Sequence, residues 1–164
     1  MDFLIAPDDP GAPDVRALLG THLRFAGDTS PPEHVHALDA SGLADPAVSL
    51  FAARRGKVLL GVGALKELDA FHGEIKSMHT DVGSRRQGVG RAMVEHLLSV
   101  AAGRGYRQVS LETGTVEAFA PARSLYTSAG FISCEPFAQY SVNPWSTCLT
   151  IELTRPRGGE AEPG

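Results

Sequence analysis

Apolar residues recur along this chain with two different periods, and the change of period marks out the elements. Val15, Leu18, Leu19 and Leu23 fall near one face of a helix over residues 12–25. Val89, Met93, Leu97 and Val100 do the same over residues 89–104, and Gly105 supplies the stop. Between these helices, residues 48–53 and 58–68 predict two strands joined at Arg54-Arg55-Gly56-Lys57, a hairpin signal. A strand over residues 73–80 follows. Strict alternation there puts Glu74, Lys76, Met78 and Thr80 on one face and Ile75, Ser77 and His79 on the other. Residues 2–6 read as a first strand. Residues 108–113 read as a buried strand, parallel to 74–80 because a helix links the two. Pro121 opens a helix to about residue 129, Gly130-Phe131 turns into a further strand, and 147–153 is the last. Ser30-Pro31-Pro32-Glu33 predicts the start of a short second helix, with Ser30 as cap and Glu33 at capping-box spacing. The order of elements is α/β, with a mixed, partly parallel sheet flanked by helices.

Composition narrows the class. The 164 residues, 43% apolar and 21% charged, suit one globular domain, expected over residues 1–154. The tail 155–164 is rich in Gly, Pro and charge and is expected to be disordered. No apolar run is long enough to span a membrane, and no basic region precedes the short apolar stretch at the N-terminus. Both point to a cytoplasmic protein. Cys134 and Cys148 are too few and too far apart to read as a disulfide framework or zinc site, and are expected as reduced structural thiols. A net charge of −4 argues against nucleic acid as a partner.

Positive charge is instead concentrated in Arg85-Arg86-Gln87-Gly88-Val89-Gly90-Arg91, at a strand-to-helix junction. Glycines there let the backbone approach a bulky anion without Cβ obstruction. The free N–H groups and the dipole of the helix start add partial positive charge. This is the chemistry of a pyrophosphate cradle. The spacing is neither G-x-G-x-x-G nor a Walker loop, since no Lys-Ser/Thr pair follows. It resembles the R/Q-x-x-G-x-G/A loop of the GCN5-related N-acetyltransferase (GNAT) family. Downstream, Ala122-x-x-Leu125-Tyr126-x-x-x-Gly130-Phe131 resembles that family's later signature, A-x-x-L-Y-x-x-x-G-F.

The resemblance implies a sheet splayed between two strands and acetyl-CoA as co-substrate. Its pyrophosphate would lie on Arg85 to Arg91, and its pantetheine amides along the backbone of Met78 and Thr80. Tyr126 takes the place of the family's thiolate-protonating tyrosine; a phenol of pKa ~10 is protonated at neutral pH. Glu74 has the offset of the general base in the histone-acetylating branch, and Glu112, ending the neighbouring strand, is the alternative base. One departure is Phe119, where many members carry Asn.

The acceptor side is less determined. His22, Arg24, Glu33, His36 and Tyr140 are candidates to line an acceptor pocket, and His79 reads as structural. The long connection 137–145 carries aromatics that could close over a substrate or form a homodimer contact. The chemistry expected is direct transfer to a small-molecule amine, with no cysteine in the site to carry the acyl group. A protein acetyltransferase and a non-catalytic acyl-CoA sensor are the alternatives.

Overall fold

The computed structural model describes residues 2–29, 40–138 and 140–153. They form a seven-stranded sheet: β1 (Leu4–Pro7), β2 (Val48–Arg55), β3 (Val58–Asp69), β4 (His72–Thr80), β5 (Gln108–Gly114), β6 (Ile132–Cys134) and β7 (Ser146–Glu152). Its spatial order is β1-β2-β3-β4-β5-β7-β6. Four helices flank it: α1 (Pro13–Thr29), α2 (Ala40–Leu43), α3 (Val89–Gly103) and α4 (Ala120–Ser128). No helix among the described residues is long and apolar enough to cross a membrane.

Alternating side chains of the sheet divide the apolar interior in two. Leu50, Ala52, Val62 and Ala64 meet Val15, Leu18 and Leu19 of α1. Phe51, Ala53, Leu65 and Ile75 meet Met93, Val94 and Leu97 of α3, and Tyr126 of α4 joins that cluster. Period-2 strands thus carry one apolar set to each face, and the helical stripes cover them.

The strand pairs are antiparallel except for β4 and β5. That parallel contact is short: only His72↔Gln108, Gly73↔Val109 and Glu74↔Ser110 pair. Beyond Glu74 and Ser110 the strands part, so the sheet forks toward their C-terminal ends. A chain of side-chain bonds pins the closed end, from His72 Nε2 to Ser110 Oγ (2.7 Å) and on to Thr150 Oγ1 (2.8 Å).

The alternation expected along β4 fails at one residue. Ser77 has φ 56°, and the β3–β4 register slips between Val62↔His79 and Ala64↔Lys76. This β-bulge inserts one residue and resets the faces. Glu74, Lys76 and now His79 lie on the α1 face, opposite Lys66, Ala64 and Val62. Met78 packs into the α3-side cluster with Ile75, and Thr80 faces the start of α3. The expectation that Glu74 shares a face with Met78 and Thr80, and that His79 turns away, is therefore corrected. The short helix expected from Ser30 and the tail from 155 fall outside the described residues.

Candidate active site

The fork opens into a cleft of about 690 Å³ between the diverging ends of β4 and β5. Its two ends differ in chemistry, and each follows from local sequence.

At the first end, β4 leaves the sheet through a turn at Val82–Ser84 that Asp81 holds by accepting the Gly83 N–H (3.1 Å). The chain then turns into α3 through Arg86 and Gly88, both in the left-handed region at φ 65° and 83°. Gly88 is the N-cap of α3. No side chain caps the helix, and its first turn holds no acidic residue. Its leading N–H groups are thus left for a ligand. Gly90 serves differently: a Cβ there would meet Leu125 Cδ2 at 3.2 Å, so it allows α3 and α4 to approach closely. Ser84, Arg85, Arg86, Gly88, Val89, Gly90 and Arg91 line the cleft. Gln87 does not line it; its amide oxygen accepts from Arg55 (2.9 Å), which is paired with Asp2. Along the cleft, β4 beyond Glu74 has no strand partner on its β5 side, so Met78 and Thr80 lie on a free edge. The cradle and free edge suit a long ligand with a pyrophosphate and amide groups, which is the chemistry of coenzyme A.

At the other end, Glu74 and Lys76 line the cleft although only 1% and 7% of their surfaces are exposed. Lys76 Nζ donates to Glu74 Oε2 (3.3 Å) and to the Tyr140 hydroxyl (2.7 Å). The Tyr140 hydroxyl in turn donates a short hydrogen bond to Glu74 Oε2. Glu74 Oε1 is buried with no hydrogen-bond partner among the described residues. An unpaired carboxylate oxygen of this kind is costly unless something else meets it. Burial, and then the Glu74 charge, push the Tyr140 phenol far above its ordinary value, so it stays neutral and donates. Glu112 also lines the cleft, and its charge is felt at Tyr140.

The bulge adds a histidine pair to this face. His22 Nδ1 of α1 lies 3.1 Å from His79 Nδ1, an arrangement in which one ring donates and the other accepts. Burial, with the His79 charge behind it, holds His22 down to about 4. Burial and then Arg85 lower His79. Phe25 stands edge-on to both His79 and Phe119, with 5.0 Å between the Phe25 and Phe119 centroids. That contact ties the β4 arm of the fork to the segment after β5.

Tyr126 enters from α4, buried against Phe131, and lines the same cleft. Burial raises its phenol well above the ordinary value, so it is protonated throughout the neutral range.

The fork thus brings together Glu74, Glu112, Tyr126, Met78, Thr80 and the loop residues other than Gln87. Of the acceptor-side candidates, His22 and Tyr140 line the cleft. Arg24 is exposed and bonds Thr21, and Glu33 and His36 lie outside the described residues. Lys76 and His79 were not foreseen as site residues. Lys76 was legible, two residues from Glu74 on the same face, but His79 was not, because a serine in the left-handed region leaves no mark in the alternation.

The pattern of the acetyltransferase (GNAT) family matches residues 14–131. The uncharacterized N-acetyltransferase YsnE of Bacillus subtilis (strain 168) is 45% identical over 146 residues, covering 89% of this chain and 97% of its own. The uncharacterized N-acetyltransferase YedL of Escherichia coli (strain K12) is 43% identical over 151 residues, covering 92% and 95%. In fold, the chain is similar to a GNAT family acetyltransferase from Elizabethkingia anophelis solved with acetyl-CoA bound. The TM-score is 0.68 at 21% identity, over 93% of this chain and 99% of that one. With its fork, cradle and buried carboxylate, the chain belongs to the acetyltransferase (GNAT) family and is an N-acetyltransferase.

Proposed function

We propose that this enzyme transfers the acetyl group of acetyl-CoA to the amine of a small-molecule acceptor, by direct attack in a ternary complex. The observation that carries the reading is Glu74 Oε1: a buried carboxylate oxygen without a partner, at the wall of a cleft whose far end is an uncapped helix start. The Phe25–Phe119 contact favours a small acceptor, because it bounds the α1 side of the fork instead of leaving an open groove.

Roles follow from the chemistry. An ammonium cannot attack, so Glu74 takes its proton on Oε1 while Lys76 and Tyr140 hold Oε2 in place. The amine nitrogen then bonds to the thioester carbonyl carbon and the C–S bond breaks. Tyr126 donates toward the sulfur that leaves. Full proton transfer from a phenol to a thiolate of intrinsic pKa ~8.5 is uphill in water. Burial raises the Tyr126 phenol further, so Tyr126 serves first as a hydrogen-bond donor to developing charge. The loop from Arg85 to Arg91 and the free edge of β4 bind and orient the donor molecule.

Thiol release from acetyl-CoA, measured across a panel of amines and short peptides, tests the reading. The expectation is amine-dependent release and an acetylated small amine by mass. Tyr126→Phe is expected to lower kcat by ~10²-fold with acetyl-CoA affinity kept within a few-fold. Binding of acetyl-CoA with no amine-dependent release would make the protein a sensor; release with peptides alone would make the acceptor a protein.

A further inference from the structure

The buried pair on β4 is more specific than a base requires. Glu74 Oε1 is an acceptor with no partner. Lys76 Nζ carries three donors, and two are used, on Glu74 Oε2 and the Tyr140 hydroxyl. An unmet anionic acceptor and a cation with a remaining donor therefore stand side by side, both more than nine-tenths buried, at the wall of the cleft. A simple monoamine meets only half of this: its ammonium satisfies Glu74 and lies against the like charge of Lys76. A ligand matching both groups carries an ammonium and an anionic acceptor on neighbouring atoms. Phe25, Phe119 and Trp145 add aromatic surface to the cleft wall.

We propose that the acceptor is a zwitterionic α-amino acid with an apolar side chain, its ammonium on Glu74 Oε1 and its carboxylate on Lys76 Nζ. This rests on the acetyltransferase reading above and names the substrate class of that same cleft. Seated this way, the α-nitrogen is held at the atom that takes its proton. Lys76 is then a specificity residue. It neutralises the carboxylate, which would otherwise be repelled by Glu74 and by Glu112 across the fork. The reaction forms an N-acetyl amino acid: the nitrogen gains the acetyl carbon and gives up two protons, one to Glu74 and one to the sulfur, which leaves as the thiol.

The test compares apolar α-amino acids with their amides and with the matching decarboxylated amines, read as kcat/KM for thiol release. The amino acid is expected to exceed both analogues by roughly 10- to 100-fold, the range for a hydrogen bond to a charged group. In Lys76→Met that advantage is expected to fall to about two-fold or less through a rise in KM, with calorimetric acetyl-CoA affinity unchanged. Lys76→Arg is expected to restore part of it and guards against a Lys76→Met protein that folds poorly. Analogues that match or exceed the amino acid in the wild-type enzyme, or a preference that survives Lys76→Met, would overturn the proposal and leave the acetyltransferase reading standing. Absence of amine-dependent release with every compound would sink both.

Discussion

Glu74 combines a structural and a chemical demand on one side chain, and the two can be separated. Its Oε2 neutralises the buried Lys76 ammonium, while its Oε1 has no hydrogen-bond partner among the described residues. Glu74→Gln therefore has two expected effects. Removing the charge leaves Lys76 buried without a counter-ion, at a cost of about 3 kcal/mol in urea unfolding. Losing the base lowers kcat by ~10²-fold or more. Adding Lys76→Met removes the stranded charge, so the double variant is expected to recover stability but not rate. Recovery of both would move the base to Glu112. His22 makes a second prediction at this scale. Its folded form resists the proton that the unfolded chain accepts near pH 6.5. The unfolded state then binds more protons, so stability is full above about pH 6.5 and declines as pH falls toward about 4. The expected loss is about 1–3 kcal/mol. The urea midpoint of His22→Leu is expected to change less between pH 7.5 and pH 4.5 than that of the wild type, and equal slopes would contradict this.

At the scale of elements, β4 decides the site. Periodicity was enough to predict the strands and the two long helices, because period 2 and period 3.6 are local signals, and its glycines and arginines marked the loop at 85–91. α1 runs four residues past the predicted end at 25, to Thr29, and β4 pairs with β5 over three residues rather than along its length. The bulge was not legible. Left-handed backbone is ordinarily marked by glycine, and Ser77 occupies it at φ 56° with its Oγ buried and unpartnered. Nor was the insertion of β7 between β5 and β6 visible, since it depends on pairing across many residues. Glu74 and Tyr126 line the cleft, and the faces assigned to Met78, Thr80 and His79 relative to Glu74 were wrong because of this one residue. Ser77→Gly keeps the bulge while removing both the Cβ strain and the orphaned hydroxyl. It is expected to stabilise the fold by about 1 kcal/mol, seen as a higher urea midpoint, with kcat unchanged. A loss of stability would mean that Ser77 Oγ has a partner in solution.

For the whole molecule, a seven-stranded sheet is closed at one end by the His72–Ser110–Thr150 bonds and open at the other. The fork places an uncapped helix start and a buried carboxylate on one cleft. Transfer depends on that joint placement, and on the helix start first, because the donor molecule must bind there before it can react. Gly88 sits at φ 83° with nothing within 4 Å of where its Cβ would stand, so a substitution there strains the loop without disturbing the core. Gly90 is a poorer probe, because a Cβ there would press on Leu125. The most direct measurement is calorimetric titration of acetyl-CoA into wild-type and Gly88→Val proteins that unfold with the same cooperativity. Saturable one-site binding is expected in the wild type and its loss in Gly88→Val, whereas wild-type affinity in a folded Gly88→Val protein would mean that acetyl-CoA does not bind at this helix start.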